Sequence, residues 1–169
     1  VTDKDFEDVS MYVLSDEREL ELLRRQNECT FMWSTSEGDP VGVIMNYVYA
    51  DGRFWLTATR RRKRIAAIER DPRVAIAISS RGTGIGTSQS ITYKGRAVLH
   101  DDRSVKDWFY PALAAAVRPG EPEKQAAFVA HLDSPGRVVI ELVPTKRIGF
   151  DSAAMFAGSK AGPSRTELG

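Results

Sequence analysis

Residues 54–79 read FWLTATRRRKRIAAIERDPRVAIAIS, and this stretch decides the architecture. Phe54 to Thr59 is aromatic, β-branched or small, with hydroxyls at Thr57 and Thr59, which is the composition of a strand. Arg60 to Arg64 are consecutive cations. Ile65 and Ile68 then fall three apart and Pro72 supplies a stop, so a short helix is predicted from about Arg61 to Arg70. Val74 to Ile78 reads as another strand. The order is strand, basic junction, short helix, strand.

The junction is electrostatically unusual. Helix N-termini prefer acids, because their free N–H groups carry partial positive charge. Cations crowded there repel one another and the helix dipole. A bound phosphate would relieve both by accepting hydrogen bonds from N–H and guanidinium groups. The competing readings are a solvated basic face and a nucleic-acid patch. The balance of 24 basic against 23 acidic side chains, a net charge of +1, supplies no whole-protein field for nucleic acid or an anionic membrane.

Working outward, Ala50-Asp51-Gly52 joins the strand at Phe54 to a preceding apolar run, Val41–Tyr49, and Asp-Gly between two such runs signals a hairpin. Cys29 to Thr35 is a further strand, closed by turn residues Ser36 to Pro40. Before it, Ser15 caps an amphipathic helix with an acidic first turn, ending near Asn27. Downstream, a glycine-rich loop from Ser80 to Ser88 leads to an alternating strand, Ile91 to Leu99. Two helices are predicted next: Asp102 to Val117, which Pro111 should bend or divide, and Glu121 to Leu132. The chain closes with a strand at Val138–Val143, a shorter extended piece at Arg147–Phe150, and a Gly/Ser/Ala-rich tail.

Strands interrupted irregularly by helices are not repeating βαβ units. The fold class is therefore mainly β with peripheral helices, an antiparallel β-barrel. Its length of 169 residues suits one domain able to bury roughly 70% of its unfolded surface. The expected division is a single domain at 1–156 with an N-terminal helix, and a mobile tail at 157–169. Absence of a long apolar run or a signal-like N-terminus, and a lone cysteine, predict a soluble cytoplasmic protein that contacts neither membrane nor nucleic acid.

Other constellations read as structural. Gly82-x-Gly84-x-Gly86 precedes a strand, where a dinucleotide loop needs a helix, so it is a connection. His131, Asp133 and Ser134 lie within four positions and read as polar helix termination rather than a triad. His100 beside Asp101 and Asp102 lacks metal-ligand spacing. Cys29 reads as a small buried hydrophobe, and Trp33 and Trp55 as core residues. With no convincing nucleophile or acid–base pair, any chemistry falls to a cofactor.

The 54–79 string resembles the flavin-binding core of the pyridoxamine-5′-phosphate-oxidase-like split-barrel family, including its flavin and deazaflavin oxidoreductase branches. There a strand bearing Ser or Thr runs into an R-x-K-type phosphate motif, a short helix ending N-P or D-P, and a V-x-I-x strand. Counting back from Asp71-Pro72 puts Arg62 and Arg64 on the two basic positions, with Lys63 between them. Arg137 to Phe150 resembles the family's last strands, where a proline separates two extended pieces. The resemblance implies an antiparallel split β-barrel and a homodimer holding FMN at its interface. Arg62, Lys63 and Arg64 would take the phosphate. Thr57, with Thr59 beyond it, and the backbone around Ile78 and Ser79 would meet the ring, and Asn46 would add a polar contact. The implied function is an FMN-dependent oxidoreductase transferring hydride to or from a small organic substrate. Alternatives are a reductase using the deazaflavin coenzyme (F-420), whose ribityl phosphate suits the same motif, and a non-catalytic flavin- or haem-binding barrel. Haem would need an axial ligand from His100 or His131.

Two departures qualify the resemblance. Arg64 stands where lysine is common, exchanging a point charge for a planar fork. The C-terminal AAMFAGSKAGPSRTELG lacks the family oxidases' tryptophan- and arginine-rich substrate segment, which argues against vitamin salvage.

Overall fold

A computed structural model describes residues 9–157. The predicted tail, beyond Ala157, lies outside the described residues. Seven strands form one antiparallel sheet: β1 (Glu28–Ser34), β2 (Pro40–Asn46), β3 (Val48–Ala50), β4 (Arg53–Thr59), β5 (Arg73–Ser79), β6 (Gln89–His100) and β7 (Arg137–Asp151). Their spatial order is β2-β1-β5-β6-β7-β4-β3. Among the described residues five helices decorate it: α1 (Asp16–Arg25), α2 (Lys63–Arg70), α3 (Arg103–Val117), α4 (Pro122–Leu132) and the single turn α5 (Ser152–Met155).

β2 and β3 occupy opposite edges of this order, yet only Tyr47 separates them in sequence. A flat sheet would place those edges six strand spacings apart, so the sheet must curl until its edges nearly meet. The result is a split barrel. Tyr47 secures the crossing: its N–H donates to Asn27 O at 3.0 Å, its hydroxyl to Leu23 O at 3.4 Å, and its buried ring meets Phe54 edge-on. The single strand predicted at Val41–Tyr49 is therefore two strands serving two edges.

The hairpin between β3 and β4 turns through Asp51 and Gly52, both with positive φ (53° and 72°). This two-residue geometry matches the right-handed twist of the flanking strands. The two extended pieces predicted around Pro144 are one strand, because Thr145 is an extra residue bulged opposite Lys94 and Gly95. Gly95 is required at that point: a Cβ there would lie 2.3 Å from Val143 O. Pro111 sits inside an undivided α3.

Alternation sends Phe31, Phe54, Leu56, Ile76, Ile78, Ile91 and Ile140 into the barrel, where Leu22 and Leu23 of α1 and Ile65 and Ile68 of α2 complete the core. A second cluster covers part of the outer face. There Phe109, Tyr110 and Leu113 of α3 and Leu132 of α4 pack on Trp55 and Val139. The remaining outer face, on β1, β2, β5 and parts of β6 and β7, has no helix over it among the described residues.

Candidate functional site

α2 starts at Lys63, two residues later than the sequence predicts, and its start carries none of the usual stabilisers. Arg62 is the N-cap and makes no side-chain capping bond, and the first turn has no acid. By contrast α1 is capped by Ser15, which accepts from the Arg18 N–H, and carries Asp16, Glu17 and Glu19 in its first turn. The apolar stripe Ile65, Ala67 and Ile68 holds α2 to the core, so burial fixes the helix while its cationic end stays in place.

The five cations divide by role. Arg60 is structural, paired with Asp101 at 3.0 Å and Glu69 at 3.5 Å. Arg61, Arg62 and Lys63 are exposed and have no acidic or hydrogen-bonding side-chain partner among the described residues. Arg64 turns inward, its Nη1 3.2 Å from Met45 Sδ and its guanidinium 5.6 Å from the centre of the Trp33 ring. Burial, and then the Arg62 charge beside it, lower the pKa of Arg64. A guanidinium in such surroundings remains charged and poorly hydrated, which strengthens its pull on an oxyanion.

The remaining predicted residues distribute around this point. Asn46 ends β2 beside Met45 and donates to Asn27 O at 3.3 Å. Ile78 is buried, Ser79 is exposed, and both line a groove of about 330 Å³ with Ile44, Glu28 and Arg81. Thr57 and Thr59 sit on the outward-facing side of β4. The Thr57 hydroxyl donates to Val138 O at 2.8 Å, and Thr59 O accepts the Arg62 N–H at 3.0 Å. Arg64 and Asn46 thus share one end of β2. Ile78 and Ser79 belong to the neighbouring groove, which also reaches β2 through Ile44. No side-chain hydrogen bond joins Thr57 to the basic residues among those described.

The features read as structural behave so. His100 contacts buried Glu141 at 2.6 Å, and Glu141 also accepts from Arg53. Asp133 holds Arg103, and His131 stacks on Phe128. The glycine-rich loop is more ordered than a slack connection, because Ser80 donates to Thr87 O and accepts from the Gln89 N–H. Sequence reasoning missed Trp33 and Met45 as the surroundings of Arg64. Their contact is non-local, and no spacing announces it.

A curled antiparallel sheet whose edges nearly meet, with a few helices around it, defines a split barrel. The family description "pyridoxamine 5'-phosphate oxidase" matches residues 16–148, and the chain belongs to this family. No curated protein matches it. Among solved structures, protein Rv2991 from Mycobacterium tuberculosis is similar at 17% identity and a TM-score of 0.74, over 92% of this chain and 97% of that one. A FAD-binding protein from Mesorhizobium loti aligns at 19% identity and a TM-score of 0.60, over 81% of this chain and 94% of that one. An F420 reductase aligns at 18% identity and a TM-score of 0.50, over 75% of this chain and 92% of that one. Identities this low support the shared fold.

Proposed function

We propose that this protein is a flavin-dependent oxidoreductase that binds FMN by its phosphate at Arg62, Lys63 and Arg64, between two copies of the chain. The carrying observation is the uncapped, acid-free start of α2, where cations without acidic partners adjoin the partly buried Arg64. A phosphate fits it, since it would accept from the N-terminal N–H groups and from the guanidinium of Arg64. When bound, the cofactor supplies hydride chemistry, which no side-chain constellation here provides.

The chain's own residues bind and orient. Arg64, held against Trp33 and Met45, fixes the phosphate position, while Arg62 and Lys63 neutralise its charge. Thr57, Asn46 and the backbone at Ile78 and Ser79 are the polar groups assigned to the ring. The uncharged rung of the outer sheet face, from Ile44 to Ile148, is where the second copy docks, bringing two barrels together over the cofactor. A deazaflavin coenzyme (F-420) is the second reading, favoured by the run of unpartnered cations and by the likeness to an F420 reductase.

The test is an absorbance spectrum of the purified protein, followed by titration with each cofactor. Arg62→Ala/Arg64→Ala is expected to keep the fold, by circular dichroism, and to weaken binding at least about tenfold, or ~1.4 kcal/mol. Unchanged affinity would remove the phosphate assignment.

A further inference from the structure

The outer face of the sheet changes character along its strands. One rung crosses five strands as Ile44, Thr30, Ala77, Thr92 and Ile148, uncharged throughout. The next runs Gly42, Met32, Ala75, Lys94 and Lys146, and beyond it Arg73 lies directly opposite Arg96. Two like-charge pairs therefore stand side by side on three adjacent strands. Like charges directly opposite one another in an antiparallel pair are destabilising. Asp71 grips the Arg73 guanidinium at 2.6–3.0 Å, and its charge also acts on Arg96. Among the described residues Lys94 and Lys146 have no acidic or hydrogen-bonding side-chain partner, and Arg96 makes no side-chain hydrogen bond or close ion pair.

These cations border a concavity. β1 and β5 pair only from Thr30 to Met32, so Trp33 and Ser34 splay from Val74 and Arg73 and open a groove of about 600 Å³. None of its lining residues is acidic. Lys94 and Arg96 supply the charge, with Arg73 held to Asp71 beside them, and Trp33, Met32 and Val74 the apolar wall. The size is that of a small-ligand site, and a concave surface of one sign focuses its field. The residues of the basic junction take no part in it.

We infer that this groove is a second anion-binding site, for a small organic multivalent anion whose phosphate or carboxylate oxygens meet Arg96, Lys94 and Arg73 while its apolar part lies against Trp33. The assignment uses a different rung and set of cations from the cofactor reading, and Trp33, over which Arg64 lies, is a residue the two share.

Titration calorimetry with inorganic pyrophosphate and with citrate tests it, using full-length protein at low ionic strength. The Arg62→Ala/Arg64→Ala background silences the α2 junction. Binding of at least one anion is expected to persist there and to fall at least about tenfold when Lys94→Gln and Arg96→Gln are added. Preference between the two anions separates a phosphate ligand from a polycarboxylate. Ala75→Glu, opposite Lys94, is a second variant that removes no cation and is expected to abolish binding at this groove. Anion affinity unchanged by both sets of substitutions would overturn the inference. So would binding that disappears entirely with Arg62 and Arg64.

Discussion

At the scale of single residues, packing decides what two unusual side-chain positions do. Cys29 is 3% exposed, and burial, partly offset by its contact with Met45 O, pushes its thiol up to about 12. At pH 8 only about one part in ten thousand would be thiolate, the nucleophilic form. Native protein is therefore expected to resist a thiol reagent such as dithionitrobenzoate, with stoichiometric labelling in denaturant; rapid native labelling would contradict the buried placement. Gly95 is constrained from the backbone side. In Gly95→Ala the new methyl meets Val143 O at 2.3 Å and Leu142 Cδ2 at 2.9 Å, so β6 and β7 must separate at their bulge. The expected loss is ~3 kcal/mol, seen as a lowered urea midpoint.

Among elements, the central strands are clamped by one buried carboxylate. Glu141 of β7 lies between Trp55 of β4 and Val98 of β6 in register, and takes hydrogen bonds from Arg53 and His100. Burial pushes its pKa up, but the two donors outweigh burial and leave it below the usual 4.5. A depressed folded-state pKa contributes stability present above the unfolded value and lost as pH falls through the folded one. Glu141→Gln is accordingly expected to cost ~2 kcal/mol at pH 7, with the deficit shrinking as pH drops below about 4.5. A pH-independent deficit would assign the cost to packing.

The same scale shows what was legible in the sequence. The Asp51-Gly52 turn, α1 with its Ser15 cap, and the β4–α2–β5 unit follow from local chemistry, and each stands where local signals put it. The split at Tyr47 was not legible, because Asn46 alone, without a turn pair or a proline, does not announce a strand end; the chain crosses there because barrel closure buries Tyr47. Pro144 misled in the opposite sense, since the Gly95 bulge absorbs the proline that a flat ladder would reject. The cations of α2 announced themselves by adjacency. The opposed pairs Arg73–Arg96 and Lys94–Lys146 did not, because a pairing register exists only in the folded sheet.

For the whole molecule, the decisive asymmetry is that helices cover only part of the barrel's outside. α3 and α4 shield Trp55 and Val139, whereas the rung from Ile44 to Ile148 has nothing over it among the described residues. Ile44 is 67% exposed and Ile148 50%, with small residues Thr30, Ala77 and Thr92 between them. β2 is also a sheet edge, and it carries the Met45 that Arg64 touches. An uncharged rung bounded by isoleucines is suited to a self-complementary contact, in which each copy presents the same patch. If two copies meet there, assembly and cofactor binding must fail together. Ile148→Glu and Thr92→Arg, each on the uncovered face, are expected to leave the barrel folded, shift sedimentation from dimer to monomer, and weaken FMN binding in parallel. The charges have opposite signs, so an effect common to both reports burial rather than electrostatics at the phosphate. A monomeric variant with unchanged affinity would confine the cofactor to one chain, and a dimer surviving both substitutions would move the interface elsewhere.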